Sequence, residues 1–214
     1  MTALDMHVHR WEKATRPDAP TLLLLHGTGG DESDLLPLGR ALLPGAALLS
    51  PRGNVLERGA PRFFRRLAEG VFDIPDMHRR TAELGDFVEA AATQYGFSTS
   101  SLYAVGYSNG ANVAASLLLT RPAALAGGVL LRAMVPFEPE SMPSLAGKRV
   151  LISAGRMDQM IPQAGTERLA AILREAGADV ELEWQPASHG LTPGDVKAAR
   201  RFMTSLAAGS AGRA

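Results

Sequence analysis

The sequence contains no cysteine, which excludes a disulfide framework, a thiolate metal site and a cysteine nucleophile. It also lacks an excess of either charge, because 22 Lys and Arg residues balance 22 Asp and Glu residues. We therefore expect neither nucleic acid nor an anionic membrane surface as a partner. No run approaches the ~18 apolar residues of a spanning helix, and the first residues do not resemble a secretory signal. These absences predict a soluble, cytoplasmic protein.

The length of the chain limits the number of domains. A chain of 214 residues can bury one sizeable core but not two. We predict a single domain over residues 1–206. The last stretch, "AAGSAGRA" at residues 207–214, has little to bury and is predicted to be a flexible tail.

Short apolar runs that end in glycine or proline alternate with stretches of helical spacing. This pattern predicts an α/β fold with a mostly parallel sheet of about seven strands and helices on both faces. Runs such as "TLLLLHG" are apolar on both sides, as central parallel strands must be. The predicted strands are residues 4–11, 21–26, 46–50, 101–107, 128–133, 148–154 and 179–185. The first alternates between polar and apolar residues, which is typical of an edge strand.

Helix signals lie between the later strands. One helix is predicted to end at Gly96, a second to lie between Pro162 and Gly177, and a third to begin after a capping-box variant at Thr192. Residues 52–80 fit neither the helix period nor the strand period and are long for a connection. Such a segment is typical of a lid or a binding loop.

The motif "GYSNG" at residues 106–110 has the form G-x-S-x-G and stands between an apolar strand and a small-residue helix. The glycines relieve the crowding of a sharp turn, which would present the Ser108 hydroxyl near the positive end of a helix. A pattern of only three fixed residues often arises by chance. The alternative to a catalytic serine is a strand-to-helix turn that happens to contain one. The strand and helix on either side favour a nucleophile.

A serine nucleophile needs a base, and the base needs an acid that orients it. Asp158 follows the strand "RVLISA" and His189 follows the strand "VELEWQP", so the two come after Ser108 in the order Ser, Asp, His. Because the carboxyl ends of parallel strands meet at one edge of a sheet, we expect the three side chains to converge there. A rival acid, Asp179, begins a strand and is expected at the opposite edge.

The oxyanion that forms on serine attack needs two hydrogen-bond donors. We predict the backbone N–H groups of Asn109, directly after the nucleophile, and of Thr28 in the loop "HGTGG". The glycines of that loop could instead suggest a phosphate-binding site. No Gly-Lys-Ser/Thr follows, so a nucleotide site is the weaker reading.

These motifs resemble those of the α/β-hydrolases, in particular the compact carboxylesterase/phospholipase group related to acyl-protein thioesterases. The matching pieces are "HGTGGDESDLLPL", "SPRG", "GYSNGANVA", "LISAGRMDQMIP" and "SHGL", which cover nearly all of the chain. The resemblance implies a triad of Ser108, Asp158 and His189. Two features depart from the thioesterases. At the position of Asn109 the thioesterases usually have glutamine, and they have a different loop in place of "RFFRRLAEGVFD". The chain is closer to bacterial carboxylesterases with "GYSNGAN".

The resemblance implies hydrolysis of small carboxylic esters, including aryl esters or thioesters, through an acyl-enzyme. It implies no cofactor and no metal, a small-molecule substrate as the partner, and a homodimer as an option. An acyltransferase would use the same acyl-enzyme and therefore stays open. A non-catalytic ligand-binding module on the same fold is the alternative from another class.

Five apolar residues are candidates for the substrate pocket, although an ordinary core position is an equal alternative for the aromatic ones. They are Phe63, Phe64, Phe72, Met160 and Leu191. Arg62, Arg65 and Arg66 could bind an anionic substrate group, but such a run is more often a solvated face.

The other histidines have structural explanations. His7 and His9 would share one face of the first predicted strand and could chelate a metal, but two histidines without a third ligand are more often solvated. His26 is predicted to support the oxyanion loop, and His78 to be exposed on a helix.

Overall fold

The computed structural model describes residues 2–16 and 19–211, and the side chains among them as far as Leu206. In chain order the strands are β1 (His9–Glu12), β2 (Thr21–Leu25), β3 (Ala47–Pro51), β4 (Val55–Glu57), β5 (Ala60–Arg62), β6 (Arg66–Ala68), β7 (Val71–Phe72), β8 (Leu102–Tyr107), β9 (Gly127–Leu131), β10 (Arg149–Gly155) and β11 (Asp179–Gln185). The α-helices are α1 (Leu36–Leu42), α2 (Ile74–Tyr95), α3 (Asn109–Thr120), α4 (Gln163–Glu175) and α5 (Pro193–Ala211).

Seven strands form one central sheet in the order β1-β3-β2-β8-β9-β10-β11. β1 lies antiparallel to β3 at one edge, and the other neighbouring strands run parallel. The predicted fold class, a mostly parallel sheet with helices on both faces, is confirmed. Because six strands point the same way, their carboxyl ends lie together at one end of the sheet, which is where open parallel sheets bind ligands.

Two hydrophobic cores cover the two faces of this sheet. The larger core contains Phe87 of α2, Leu117 of α3 and Leu169 of α4. The smaller core contains Leu42 of α1 and Phe202 of α5. The central strands are buried from both sides, which explains their unbroken apolar runs.

The ends of the helices follow the predicted signals. α2 ends at Gly96, whose φ of 72° suits glycine, and its first turn is capped by the side chain of Asp73, which accepts from the N–H of Asp76. At the start of α5, the backbone N–H of Thr192 donates to the carboxylate of Asp195 at 2.7 Å. α5 continues to Ala211, so the predicted tail of residues 207–214 begins inside this helix. Residues 212–214 lie outside the described part of the chain.

The first predicted strand is too long. Residues Ala3–Met6 form a 3₁₀ turn, and the strand begins only at His9. The carboxylate of Asp5 accepts from the backbone N–H of Thr2 at 2.8 Å and closes the turn. Alternating polar and apolar residues fit a short capped turn as well as a strand, which is why the pattern misled the prediction.

The long segment of residues 52–80 is folded rather than irregular. It contains two small antiparallel hairpins, β4–β5 and β6–β7, and then the first turns of α2. Phe64 and Phe72 meet edge to face, with ring centroids 5.1 Å apart. Within the described ranges, no helix combines the length and the apolar character needed to cross a membrane.

Candidate active site

Ser108 occupies a strained turn between β8 and α3. Its φ of 52° is unusual for a residue with a side chain. A Cβ at Gly106 would approach the carbonyl oxygen of Gly110 to 2.6 Å, and a Cβ at Gly110 would overlap the backbone of Leu25 on β2. Both glycines are therefore required by close packing, as the motif predicts, and the turn holds the serine above the sheet.

The structure brings Ser108, His189 and Asp158 together from three separate loops. Nε2 of His189 lies 2.9 Å from Oγ of Ser108, and Nδ1 lies 2.8 Å from Oδ2 of Asp158. A carboxylate can only accept, so the imidazole proton is on Nδ1 and Nε2 is free to accept from the serine hydroxyl. This is the geometry that a general base needs.

Asp158 is fixed independently of the histidine. Its Oδ1 accepts from the backbone N–H groups of Met160 and Ile161, at 2.9 and 3.1 Å. The side chain is 2% exposed. These contacts leave Oδ2 aimed at the imidazole. The rival acid Asp179 lies at the amino end of β11, where its carboxylate pairs with Arg149.

Thr28 and Asn109 line the cavity over Ser108. Asn109 is the first residue of α3, and the N–H groups of a first helical turn have no partner within the helix. The loop that carries Thr28 is tied down beside it, because the N–H of Gly29 donates to the carbonyl of Pro61 at 2.9 Å. Both residues that are predicted to supply the oxyanion donors therefore line the same cavity as the serine.

His26 supports this loop, as the sequence predicts. The N–H of Gly53 donates to Nε2 of His26 at 2.9 Å, so this nitrogen is unprotonated. The proton is therefore on Nδ1, which donates to the carbonyl of Gly27 at 2.7 Å. Burial lowers the pKa of His26, which keeps the ring neutral.

The side chain of Asn109 links the nucleophile turn to the segment of residues 52–80. Its Oδ1 accepts from the backbone N–H of Phe63 at 2.7 Å, and the residue is 2% exposed. Its Nδ2 is buried without an acceptor among the described residues. The position at which the sequence departs from the thioesterases thus ties the β4–β5 hairpin to the site.

The cavity over Ser108 is small, with a volume of ≈ 50 Å³. Of the predicted pocket residues, Phe72 and Met160 line it. Phe63 and Phe64 are 2% and 0% exposed and belong to the larger core, so the core alternative holds for both. Leu191 packs against the smaller core on the other face of the sheet. The predicted pocket is therefore corrected at these three positions.

The three arginines of the run have different surroundings. Arg62 is 3% exposed and lines the cavity. Arg66 also lines it and pairs with Glu57, whereas Arg65 points to solvent and pairs with Asp73. A solvated face is therefore the wrong description for Arg62.

A buried arginine that belongs to none of the motifs lies beneath the loop of residues 186–192, which carries His189 and is called the histidine loop below. Arg132 follows β9, has a φ of 58° and is 1% exposed. Its two terminal nitrogens donate to the carboxylate of Asp195 at 2.6 and 2.9 Å. The same guanidinium donates to the carbonyls of Ser188, at 3.1 Å, and Gly190, at 2.8 Å. These carbonyls stand on either side of His189.

Two further contacts complete this support. The hydroxyl of Tyr107 donates to the carbonyl of His189 at 3.2 Å, so three consecutive carbonyls of the loop have donors. Burial alone would raise the pKa of Asp195, but hydrogen bonds from Arg132, Ser153 and Thr192 outweigh it and lower the pKa. The carboxylate therefore stays charged under the arginine.

The remaining histidines do not form a metal site in the described part of the chain, where no group of three or more metal-binding side chains is present. His7 is buried, not solvated, and its Nδ1 donates to the carbonyl of Arg52 at 2.8 Å. Nε2 of His9 lies 2.7 Å from the hydroxyl of Tyr95. His78 is exposed on α2, as predicted.

Comparison with known proteins gives consistent matches over nearly the whole chain. The model of a family described as phospholipase/carboxylesterase matches residues 7–207. "Putative hydrolase MhqD" of Bacillus subtilis is 47% identical over 194 residues, which cover 91% of this chain and 96% of that protein. The crystal structure of the Bacillus cereus carboxylesterase has a TM-score of 0.92 and 48% identity over 94% of both chains. The structure of YahD with malic acid has a TM-score of 0.89 and 30% identity, over 93% of this chain and 98% of that one.

Proposed function

The chain belongs to the phospholipase/carboxylesterase family of α/β-hydrolases, and on that premise we propose that it cleaves small carboxylic esters through an acyl-enzyme on Ser108. Its class, carboxylic ester hydrolase, follows from the family. The observation that carries the mechanism is the pair of contacts that joins the serine hydroxyl to the imidazole and the imidazole to Asp158, at 2.9 and 2.8 Å. A ligand-binding module would not need these three groups aligned.

In the proposed reaction, Oγ of Ser108 attacks the ester carbonyl while Nε2 of His189 takes its proton. Asp158 accepts from Nδ1 and stabilises the imidazolium that forms. The negative oxygen of the tetrahedral intermediate is held by the backbone N–H groups of Thr28 and Asn109. When the intermediate collapses, the ester C–O bond breaks and the alcohol leaves with the proton from Nε2.

The second half of the cycle repeats these steps with water. His189 takes a proton from water, whose oxygen attacks the acyl-enzyme carbonyl, and Ser108 leaves with that proton. The acid product is released and the free enzyme is restored. The ≈ 50 Å³ cavity favours small esters over bulky ones. YahD was solved with malic acid, so small esters of such acids belong to the proposed substrate range.

The test uses a fluorophosphonate probe and an activated aryl ester with the wild-type protein, Ser108→Ala and Ser141→Ala. Ser141 is an exposed serine away from the site and is the matched control. We expect one labelled serine in wild type and control, no labelling in Ser108→Ala, and a loss of turnover of at least about 10³-fold. Full turnover by Ser108→Ala would refute the nucleophile, and wild type that neither reacts with the probe nor hydrolyses esters would support the binding-module alternative.

Adding a primary alcohol to the same assay separates hydrolase from acyltransferase. We expect free acid as the main product, because no acceptor is required by the proposed cycle. Formation of mostly transferred ester at millimolar alcohol would favour the acyltransferase. Homodimer assembly and a cytoplasmic location stay predictions from the sequence.

A further inference from the structure

Arg62 is a buried cation in the wall of the candidate active site. It is 3% exposed, ends β5, and lines the same cavity as Ser108 and His189. Fully buried arginines are uncommon unless they are paired with an acid, because moving a charge out of water is costly. The contacts of this guanidinium therefore indicate whether its charge serves the fold or a ligand.

The hydrogen bonds of Arg62 go to neutral groups. Its Nε donates to the carbonyl of Phe64 at 3.2 Å, and Nη1 donates to the hydroxyl of Thr28 at 2.7 Å. A guanidinium has five N–H donors, and in the described ranges Nη2 donates to no protein acceptor. Donor capacity is therefore left over on the side chain that faces the cavity.

Its counter-ion is shared. Nε of Arg62 lies 3.3 Å from Oε2 of Glu57. Arg66 binds the same carboxylate through three hydrogen bonds of 2.9 to 3.1 Å, and this carboxylate is 34% exposed. One negative charge therefore serves two guanidinium groups. Burial and the nearby charge of Arg66 lower the pKa of Arg62, as expected for a cation that is not fully neutralised.

The hydrogen bond to Thr28 fixes where this charge acts. In the proposed function, the backbone N–H of Thr28 holds the oxyanion, while its hydroxyl accepts from Arg62. Because the same residue, Thr28, would bind the oxyanion and accepts from Arg62, the guanidinium lies next to the position of the reacting carbonyl. An anionic group of the substrate would reach the Arg62 guanidinium only if few atoms separate that group from the ester. This requirement agrees with the small cavity.

We propose that Arg62 binds a carboxylate of the substrate and that the protein prefers small esters that carry a carboxylate a few atoms from the scissile bond. This inference rests on the proposed esterase function and names its substrate class. The guanidinium matches a carboxylate in shape and charge, and its remaining donors supply charge-assisted hydrogen bonds. The exposed carboxylate of Glu69 also lines the cavity, so the cavity is not uniformly cationic and a carboxylate must be bound at Arg62 itself.

The experiment compares charged esters with uncharged isosteres. Monomethyl succinate is paired with methyl succinamate to place the carboxylate on the acyl side. 4-Acetoxybenzoate is paired with 4-acetoxybenzamide to place it on the alcohol side. For at least one pair, we expect wild type to show a kcat/KM about 10- to 100-fold higher for the charged ester. No preference for the charged ester in either pair would overturn the proposal.

Variants then assign the preference to Arg62. In Arg62→Gln, the ratio of kcat/KM for charged over neutral ester should fall at least about 10-fold, and Arg62→Lys should retain part of it. Arg58→Gln is the matched control, because Arg58 is exposed on the same hairpin and does not line the cavity. Its ratio should stay within about twofold of wild type. An equal loss on charged and neutral esters in Arg62→Gln would overturn the proposal in favour of a general effect on the oxyanion loop.

A measurement on wild type alone remains available if Arg62→Gln does not fold. Succinate should inhibit hydrolysis of 4-nitrophenyl acetate at least about 10-fold more strongly than succinamide, and added salt should weaken this difference. Equal inhibition by the two compounds would overturn the proposal. Failure of the proposed function gives a different result, since neutral activated esters would then not be hydrolysed and Ser108 would not react with the probe.

Discussion

Replacing Arg132 by methionine should destabilise the protein more than most single substitutions. The side chains of Arg132 and Asp195 are both 0% exposed, so the variant leaves an unpaired carboxylate in the interior. The carbonyls of Ser188 and Gly190 also lose their donor. Removing one partner of a buried ion pair costs about 3 to 5 kcal/mol, because the remaining carboxylate loses its counter-ion and keeps only the hydrogen bonds from Ser153 and Thr192.

The assay is urea unfolding at pH 7.5, followed by circular dichroism and tryptophan fluorescence. With a slope of roughly 2 kcal/mol per molar urea, the loss corresponds to a midpoint lower by about 1.5 to 2.5 M. Arg149→Met is the matched control, because this arginine is partly exposed and pairs with Asp179 and Glu181 at the surface. The control should lose about 1 kcal/mol or less.

A double replacement separates the lost charge pair from lost packing. Arg132→Met combined with Asp195→Leu removes both charges and should recover part of the stability, since an apolar pair avoids the cost of desolvating two ions. At temperatures where Arg132→Met stays folded, kcat should fall while KM changes little, because the carbonyls beside His189 are no longer held. A loss no larger than that of Arg149→Met, together with unchanged kcat, would refute the reasoning.

Two further changes test the support of the oxyanion loop. Burial lowers the pKa of His26, and the nearby acids Asp31, Glu32 and Asp34 only partly offset this effect. Near pH 6.5 the histidine therefore takes up a proton in the unfolded chain but not in the folded chain. The free energy of unfolding should fall as the pH drops below about 6.5. The urea midpoint of His26→Gln should fall less than that of wild type between pH 7.5 and 5.5, and parallel pH profiles would contradict this assignment. Asn109→Ala leaves the buried N–H of Phe63 without an acceptor and should lower the free energy of unfolding by about 1 to 3 kcal/mol. The exposed Asn54→Ala is its control, and an equal effect in both would count against the link.

The sheet and the site were predictable where local sequence rules act. The glycines at 106 and 110 are required by a turn that no larger residue fits, and the order of Ser108, Asp158 and His189 follows from the carboxyl ends of parallel strands. The predicted strand boundary was wrong at the N-terminus, where a capped 3₁₀ turn of four residues carries the same alternation as a strand.

Contacts between distant residues that belong to no motif were not predictable. Arg132 and Asp195 are 63 residues apart, and neither belongs to a motif that demands the other. Phe63 and Phe64 show the same limit, because an aromatic residue in an irregular segment can face a pocket or the core with equal ease. Only the folded hairpins decide that both are core residues.

The two buried arginines near the site differ in how their charge is balanced, and this difference separates their roles. Arg132 has Asp195 to itself, with two close hydrogen bonds, and its other donors go to loop carbonyls. Arg62 shares Glu57 with Arg66, lines the cavity, and has an Nη2 that donates to no acceptor among the described residues. A buried cation with a carboxylate of its own is already neutralised. A buried cation that shares one carboxylate with a second cation is stabilised by a further carboxylate. The charge of Arg132 therefore holds the histidine loop, and the charge of Arg62 is available to a substrate.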